Sequence, residues 1–237
     1  MTCGSINAFS GADGESSIQS ATQSVINLGL DRLDEAAELL ATVFLDYPLD
    51  HYILDGLGPE QRAMLASSFK MDCLWKLGLG WPFLGVVEQD RLAAVALVAG
   101  STSSQGGFVE YEGSLLTLAR LEEMEDRLDH SFGSQTCSRI LDYYALKDAH
   151  KPPEPHLYLE SLAVLPEHRG KGYGGVLINF INRLSEADEH SAGVGLDTQL
   201  PVNLTLYRHF GFHVIGEGDM GPVHNWFLFR PNETVSA

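Results

Sequence analysis

The chain has 237 residues, 44% of them hydrophobic, which is material for one sizeable core and at most two domains. A net charge of −17 argues against a nucleic-acid or anionic-membrane surface, which needs a basic face, and suits a cationic small partner. Three widely spaced cysteines, Cys3, Cys73 and Cys137, offer neither a disulfide framework nor a metal knuckle, no apolar run approaches the roughly 20 residues of a membrane span, and the N-terminus carries no secretion signal. The expectation is a cytoplasmic protein with reduced thiols, no membrane partner and no metal.

Residues 1–23, rich in Ser, Gly, Thr and Gln, read as a disordered tail. Residues 24–30 are a short strand candidate. Asp31 is placed to cap a helix with the stripe Leu33, Ala36, Ala37, Leu40, Val43 and Phe44, which Asp46-Tyr47-Pro48 ends. Pro59 opens a second helix carrying Met64, Leu65, Phe69, Cys73 and Leu77, with Gly78 closing it. Residues 81–88 and 92–99 are strand runs joined at hairpin spacing by Gln89-Asp90-Arg91. A polar loop at 101–107 leads to two helical patterns near 114–130 and 135–147, and Lys151-Pro152-Pro153-Glu154-Pro155 stops helix formation.

An apolar run of strand length then feeds a basic, glycine-rich loop. Residues 157–173 read Leu-Tyr-Leu-Glu-Ser-Leu-Ala-Val-Leu-Pro-Glu-His-Arg-Gly-Lys-Gly-Tyr, followed by Gly174 and Gly175. Tyr173, Val176, Leu177, Phe180, Ile181 and Leu184 form the stripe of an amphipathic helix running to about Asp188. Amides at a helix start lack intrahelical partners and sit at the positive end of the dipole, and glycine lets an anion approach them. The stretch therefore reads as a phosphate cradle. A strand at 194–197 follows, then a helix from Pro201 to Phe210 with Gly211 after it, strands at 212–215 and 225–230, and a polar tail at 232–237. Strands and helices alternate with hairpins, so the fold class is mixed α/β or α+β, one domain over 24–231 built on one sheet.

Three phosphate-loop chemistries compete for the glycines. A Walker A loop fails because Lys171 is followed by Gly172 rather than Ser or Thr. A dinucleotide loop is met literally by Gly170, Gly172 and Gly175, with Asp197 where a ribose-binding acid would stand. Against it, Pro166-Glu167-His168-Arg169 separates strand from glycine and the unit comes late in the chain. The third chemistry is acyl-coenzyme A. Arg169, Gly172 and Gly174 spell R-x-x-G-x-G, which resembles the pyrophosphate loop of the GCN5-related N-acetyltransferases, the GNAT family. The preceding Leu-Ala-Val-x-Pro-Glu, and the later run from Asn203 through Leu206-Tyr207 to Gly211-Phe212, resemble that family's fourth strand and its LY-x-x-x-GF segment. Phe44-x-x-x-Pro48-Leu49 resembles an element of its small-molecule members.

The resemblance implies a central, mostly antiparallel mixed sheet with a V-shaped splay between its fourth and fifth strands, helices on both faces, and a helical insert at about 114–147. It implies acetyl-CoA as cosubstrate, with Arg169, Gly170, Lys171, Gly172, Tyr173, Gly174 and Gly175 on the pyrophosphate, the backbone of Leu162, Ala163 and Val164 beside the pantetheine, and Tyr207 as general acid to the sulfur. Asn203, one turn before Tyr207 on the same helix face, is a further cofactor contact. Strand alternation puts His156, Tyr158, Glu160, Leu162 and Val164 on one face, so Glu160 is the expected base, its pKa raised by burial, with His156 second. His209 and His213 flank the helix-breaking Gly211 and give no zinc pattern. The first two helices, the loop after Phe44 and the insert are expected to wall the acceptor pocket, with Tyr47, Trp81 and Tyr111 as aromatic candidates. The expected function is transfer of an acetyl group to a small-molecule primary amine by direct attack. The alternatives are a protein or peptide N-terminal acetyltransferase, a non-catalytic acyl-CoA sensor and an NAD-binding protein. The acceptor's identity and the oligomeric state, homodimer included, are open.

Overall fold

The computed structural model describes residues 24–101 and 109–233. The expected tail at 1–23, the end of the tail at 234–237 and most of the polar loop at 101–107 lie outside the described residues. A seven-stranded sheet runs through the molecule. Its strands are β1 (Val25–Asn27), β2 (Phe83–Glu88), β3 (Arg91–Ala99), β6 (Leu157–Val164), β7 (Gly193–Thr198), β8 (His213–Met220) and β9 (Val223–Pro231), in the order β1-β2-β3-β6-β7-β9-β8. A two-stranded ribbon, β4 (Glu110–Tyr111) with β5 (Ser114–Leu115), stands apart from it. Every strand pair in the large sheet is antiparallel except β6 with β7. That pattern excludes the doubly wound parallel sheet of a dinucleotide-binding domain.

Seven helices complete the described chain: α1 (Leu33–Phe44), α2 (Pro48–Ile53), α3 (Gln61–Leu79), α4 (Leu118–Phe132), α5 (Ser134–His150), α6 (Tyr173–Ala187) and α7 (Pro201–His209). They divide between the two faces of the sheet. Leu40 of α1, Phe69 and Leu74 of α3 and Leu121 of α4 bury against Val95, Leu97 and Ala163 on one face. Leu177, Ile178 and Ile181 of α6 and Tyr207 of α7 bury against Ala94, Ala96, Leu159, Val194, Leu196 and Leu228 on the other. The alternation of β3, with Ala94 and Ala96 to one side and Val95 and Leu97 to the other, feeds both cores from one strand. No helix among the described residues is long and apolar enough to cross a membrane.

Local departures from the sequence reading have physical causes. Asp31 does not cap α1. It lies in a single 3-10 turn, Leu30–Arg32, and α1 starts without a side-chain cap. Pro48 does not merely end a helix: it stands at the first position of α2, where a missing N–H costs nothing. Gly78 is interior to α3, facing Leu121 and Leu116 of the α4 side, and the helix closes instead at Gly80, whose φ of 67° is the left-handed cap conformation. The β2–β3 hairpin turns on Gln89 and Asp90, both at positive φ, as a two-residue primed turn requires. The two helical patterns of the insert are α4, displaced a few residues towards the C-terminus, and α5, longer than expected at both ends.

Candidate active site

The glycine loop leaves β6 through a 3-10 turn, Pro166–His168, and enters α6 at Gly172. Gly170 and Gly172 hold φ of 79° and 84°, conformations that strain any residue with a side chain. Among the described residues, the amides of Gly170, Gly172, Tyr173, Gly174 and Gly175 donate no hydrogen bond. The first bond that closes the helix is Val176 N–H to the Gly172 carbonyl, at 3.0 Å. A methyl group added at Gly170 or Gly172 would meet nothing within 4 Å, and one at Gly174 would lie 3.7 Å from Val164 Cγ2 and 4.0 Å from Leu162 Cδ2. The result is a row of uncommitted donors at the positive end of a fifteen-residue helix, next to the end of β6. The loop's two cations behave differently. Arg169 is exposed. Lys171 turns back to the β2–β3 hairpin, where its Nζ lies 2.7 Å from Glu88 Oε2, an oxygen that His168 Nδ1 also meets at 2.6 Å.

β6 and β7 separate above the loop. They pair only over Leu157–Leu159 with Val194–Leu196, so residues 160–164 have no strand partner on the β7 side while β3 holds their other edge. A β-bulge sits at the parting point: Val98 pairs with Leu159 and Leu97 with Ser161, leaving Glu160 as the extra residue. The bulge reverses the strand's alternation. Leu157 and Leu159 face the α6 core before it, and Leu162 and Val164 face that core after it. Tyr158 and Glu160 point to the opposite side.

That side holds a cavity of about 350 Å³. Its walls come from α1, α2, α3, α4, α5, the divergent ends of β6 and β7, and α7. Tyr207 lines it, 8% exposed, its ring edge-on to Phe212 at 5.8 Å. The Tyr207 hydroxyl makes no hydrogen bond among the described residues. Burial raises its pKa well above the ordinary tyrosine value, with the fields of Tyr47 and Asp197 adding to the effect. Five carboxylates, Asp50, Asp72, Glu125, Glu160 and Asp197, line the same space against two ammonium groups, Lys76 and Lys147.

The carboxylates fall into three kinds. Asp197 is saturated by neutral donors: the Tyr158 hydroxyl at 2.6 Å, the Tyr143 hydroxyl at 3.1 Å and Gln199 Nε2 at 2.8 Å. Glu160 is ion-paired, through Oε2 to the buried Lys76 and through Oε1 to Lys147 at 3.7 Å. Burial acts to raise the Glu160 pKa, but the two ammonium groups outweigh it and hold the carboxyl below its ordinary value. Asp50, Asp72 and Glu125 make no ion pair among the described residues. Burial pushes Asp50 and Asp72 each up to about 7, and it raises Glu125, with Asp129 adding like charge. The protein surrounds these groups, yet each opens onto cavity space that water can enter.

The family model for the acetyltransferase (GNAT) domain matches residues 132–214, from the end of α4 to the start of β8. Over that segment the chain matches the GNAT domain, and its fold is that of solved acetyltransferases. Solved structures with this fold cover nearly all of it. A Corynebacterium glutamicum protein described as histone acetyltransferase HPA2 and related acetyltransferase is 16% identical, with a TM-score of 0.59 over 91% of this chain and 99% of that one. Arylalkylamine N-acetyltransferase 2 from Aedes aegypti is 13% identical, with a TM-score of 0.57 over 90% of this chain and 100% of that one. The polyamine N-acetyltransferase of Drosophila melanogaster, an enzyme that forms N-acetylagmatine, is 14% identical, with a TM-score of 0.50 over 87% and 97%.

In this fold the structure brings together most residues singled out from sequence. Gly170 to Gly175 and the edge of Leu162 to Val164 adjoin one another, and Tyr207, Asn203 and Glu160 share the cavity. Asn203 is tied down, its Nδ2 donating to Thr198 Oγ1 at 3.0 Å, the same oxygen that the Tyr47 hydroxyl meets at 2.8 Å. Three expectations are overturned. Glu160 is not raised in pKa, because Lys76 and Lys147 accompany it. His156 is not on the cavity: its ring packs against Phe229 and its Nδ1 meets the Glu154 carbonyl oxygen at 2.7 Å. Tyr111 is outside as well, on the β4–β5 ribbon beside Lys70, whereas Tyr47 and Trp81 are wall residues. Sequence reasoning missed Asp50, Asp72, Lys76 and Lys147. A signal existed for two of them. Asp72 and Lys76 continue the α3 stripe of Leu65 and Phe69 at i+7 and i+11, charges in positions that otherwise face a core.

Proposed function

We propose that the protein is an acetyl-CoA-dependent N-acetyltransferase that acts on a primary amine of a small cationic molecule by direct attack. The observation that carries the reading is the meeting of two uncommitted groups in one cleft. The unbonded amides of Gly170 and of Gly172 to Gly175 lie beside the opened edge of β6, and that edge leads to the unbonded hydroxyl of the buried Tyr207. Acetyl-CoA supplies an acetyl thioester. The amides of Gly170 and of Gly172 to Gly175 hold its pyrophosphate at the helix N-terminus, and residues 162–164 receive its amide-bearing arm as an added strand would be received. Tyr207 stays protonated at neutral pH and donates that proton to the departing thiolate.

The attacking nitrogen must first lose a proton. Glu160 is poorly suited to take it, since Lys76 and Lys147 stabilise its charged form. Asp50 is better suited. It lacks an ion partner among the described residues and lies in the fields of Asp72 and Asp197, the latter shared with Tyr207, so we assign it the acceptor role. Five carboxylates against two ammonium groups favour an acceptor that arrives as a cation.

Thermal melts with acetyl-CoA, CoA and NAD, followed by an amine panel read through thiol release, test the reading. Acetyl-CoA at one hundred times its Kd should stabilise the fold by about 2.7 kcal/mol, NAD should not, and at least one cationic amine should release thiol. A protein that ignores CoA defeats the reading. One that binds CoA but turns over no amine is a sensor on the same fold.

A further inference from the structure

We infer that the acceptor is a dication of the alkyl-diamine type, with one nitrogen held near Asp50 and Tyr207 and the other held by Asp72. The inference rests on the acetyltransferase reading above and specifies its substrate class. Four observations carry it. First, the cavity's ammonium groups are already spent: Lys76 and Lys147 both pair with Glu160. Second, Asp197 is saturated by three neutral donors. That leaves Asp50 on α2 and Asp72 on α3 without a counter-ion among the described residues, on separate elements of the wall. Third, Tyr207, more than nine-tenths buried, presents an unpartnered hydroxyl to the same space and marks the reacting end. Fourth, the wall bearing the two acids is apolar, built from Phe44, Ile53, Leu65 and Phe69.

The two acids overlap in company but not wholly. Asp50 lies in the fields of Asp72 and Asp197, the latter shared with Tyr207. Asp72 lies in the opposing fields of Lys76 and Lys147, both paired with Glu160, and of the acids Glu160 and Glu125. A monocation settled at Asp50 would leave Asp72 facing an alkyl or aryl tail, a desolvated carboxylate whose only opposite charges, Lys76 and Lys147, are already paired with Glu160. A neutral tail is therefore penalised at that end. A second ammonium or guanidinium group meets both the charge and the hydrogen-bonding demand, while the methylene chain between the nitrogens packs on the apolar wall.

The test compares putrescine with n-butylamine, which share a four-carbon chain and differ by the second nitrogen, and includes phenethylamine as the aromatic monocation. Wild type should favour putrescine over n-butylamine in kcat/KM by about tenfold to a hundredfold, the range for a hydrogen-bonded charged partner. Asp72→Asn should collapse that ratio towards one, mainly through KM for putrescine, and Glu125→Gln should reduce it less. Equal use of the two alkylamines by wild type, a preference for phenethylamine, or an unchanged ratio in a folded Asp72→Asn would overturn the inference and leave the acetyltransferase reading standing. If acetyl-CoA neither shifts the melt nor supports thiol release with any of the three amines, the underlying reading fails and this inference fails with it. The wild-type ratio needs no variant, so poor folding of Asp72→Asn does not rescue the idea.

Discussion

Tyr207 carries a hydroxyl that no other described residue bonds, and its neighbours suit it to the proposed donor role. Burial and the nearby Asp197 both disfavour the phenolate, so the proton is present whenever a thiolate departs. Tyr207→Phe should lower kcat by about 10²–10⁴, the usual worth of a positioned acid, while a CoA melt shift of wild-type size shows that the cleft is intact. The unpaired acids make a separate prediction about stability. Asp50 and Asp72 are raised from 3.8 to about 7 in the folded protein. Between those values the unfolded chain has lost its protons and the folded chain has kept them. Folding stability is therefore unaffected below pH 4, falls as pH rises from about 4 to 7, and stays reduced above 7. Asp72→Asn removes the titration. Allowing for water in the cavity, the variant should gain roughly 1–2 kcal/mol over wild type at pH 8 and almost nothing at pH 4 in ligand-free melts. An equal difference at both pH values would show that Asp72 is not held protonated.

At the scale of elements, legibility followed from how local the physics was. The loop could be read from sequence because backbone chemistry demands glycine there: Gly170 and Gly172 at positive φ are requirements on residue type. The amphipathic stripes of α1, α3 and α6 could be read for the same reason. The α2 helix was hidden because it has six residues, too few for a period, and because its opening Pro48 also serves as a stop signal. The bulge at Glu160 was hidden because alternation assumes regular pairing, and only the partner strand β3 shows where a residue is extra. The bulge nevertheless sets the site, sending Glu160 to Lys76 and Lys147 while Leu162 and Val164 turn back to the α6 core. The position of Gly174 gives a direct check on the groove. Its Cβ direction points at Val164 and Leu162 across ordinary contact distance. Gly174→Val would place two further methyl groups there, and the expected result is at least a tenfold weaker acetyl-CoA Kd by melt titration with the ligand-free Tm changed by only a few degrees. Wild-type affinity in this variant would put the pyrophosphate elsewhere.

For the whole molecule, the net charge of −17 and the acidic cavity act in the same direction on an incoming amine. The long-range part of that attraction is proportional to the ligand's charge and is screened by salt, with a Debye length of about 10 Å at 0.1 M. A cation should therefore lose kcat/KM as ionic strength rises, and a dication should lose it with about twice the logarithmic slope of a monocation. The comparison is internal, since the enzyme, the cosubstrate and any effect of salt on the fold are common to both amines. Acetyl-CoA is itself an anion approaching an acidic protein, so it is kept saturating in both arms and its own salt response drops out. Putrescine and n-butylamine measured from low to moderate salt should give slopes in a ratio near two. Parallel slopes would mean that only one positive charge is drawn into the cavity, and the second nitrogen would then be a bystander in solvent.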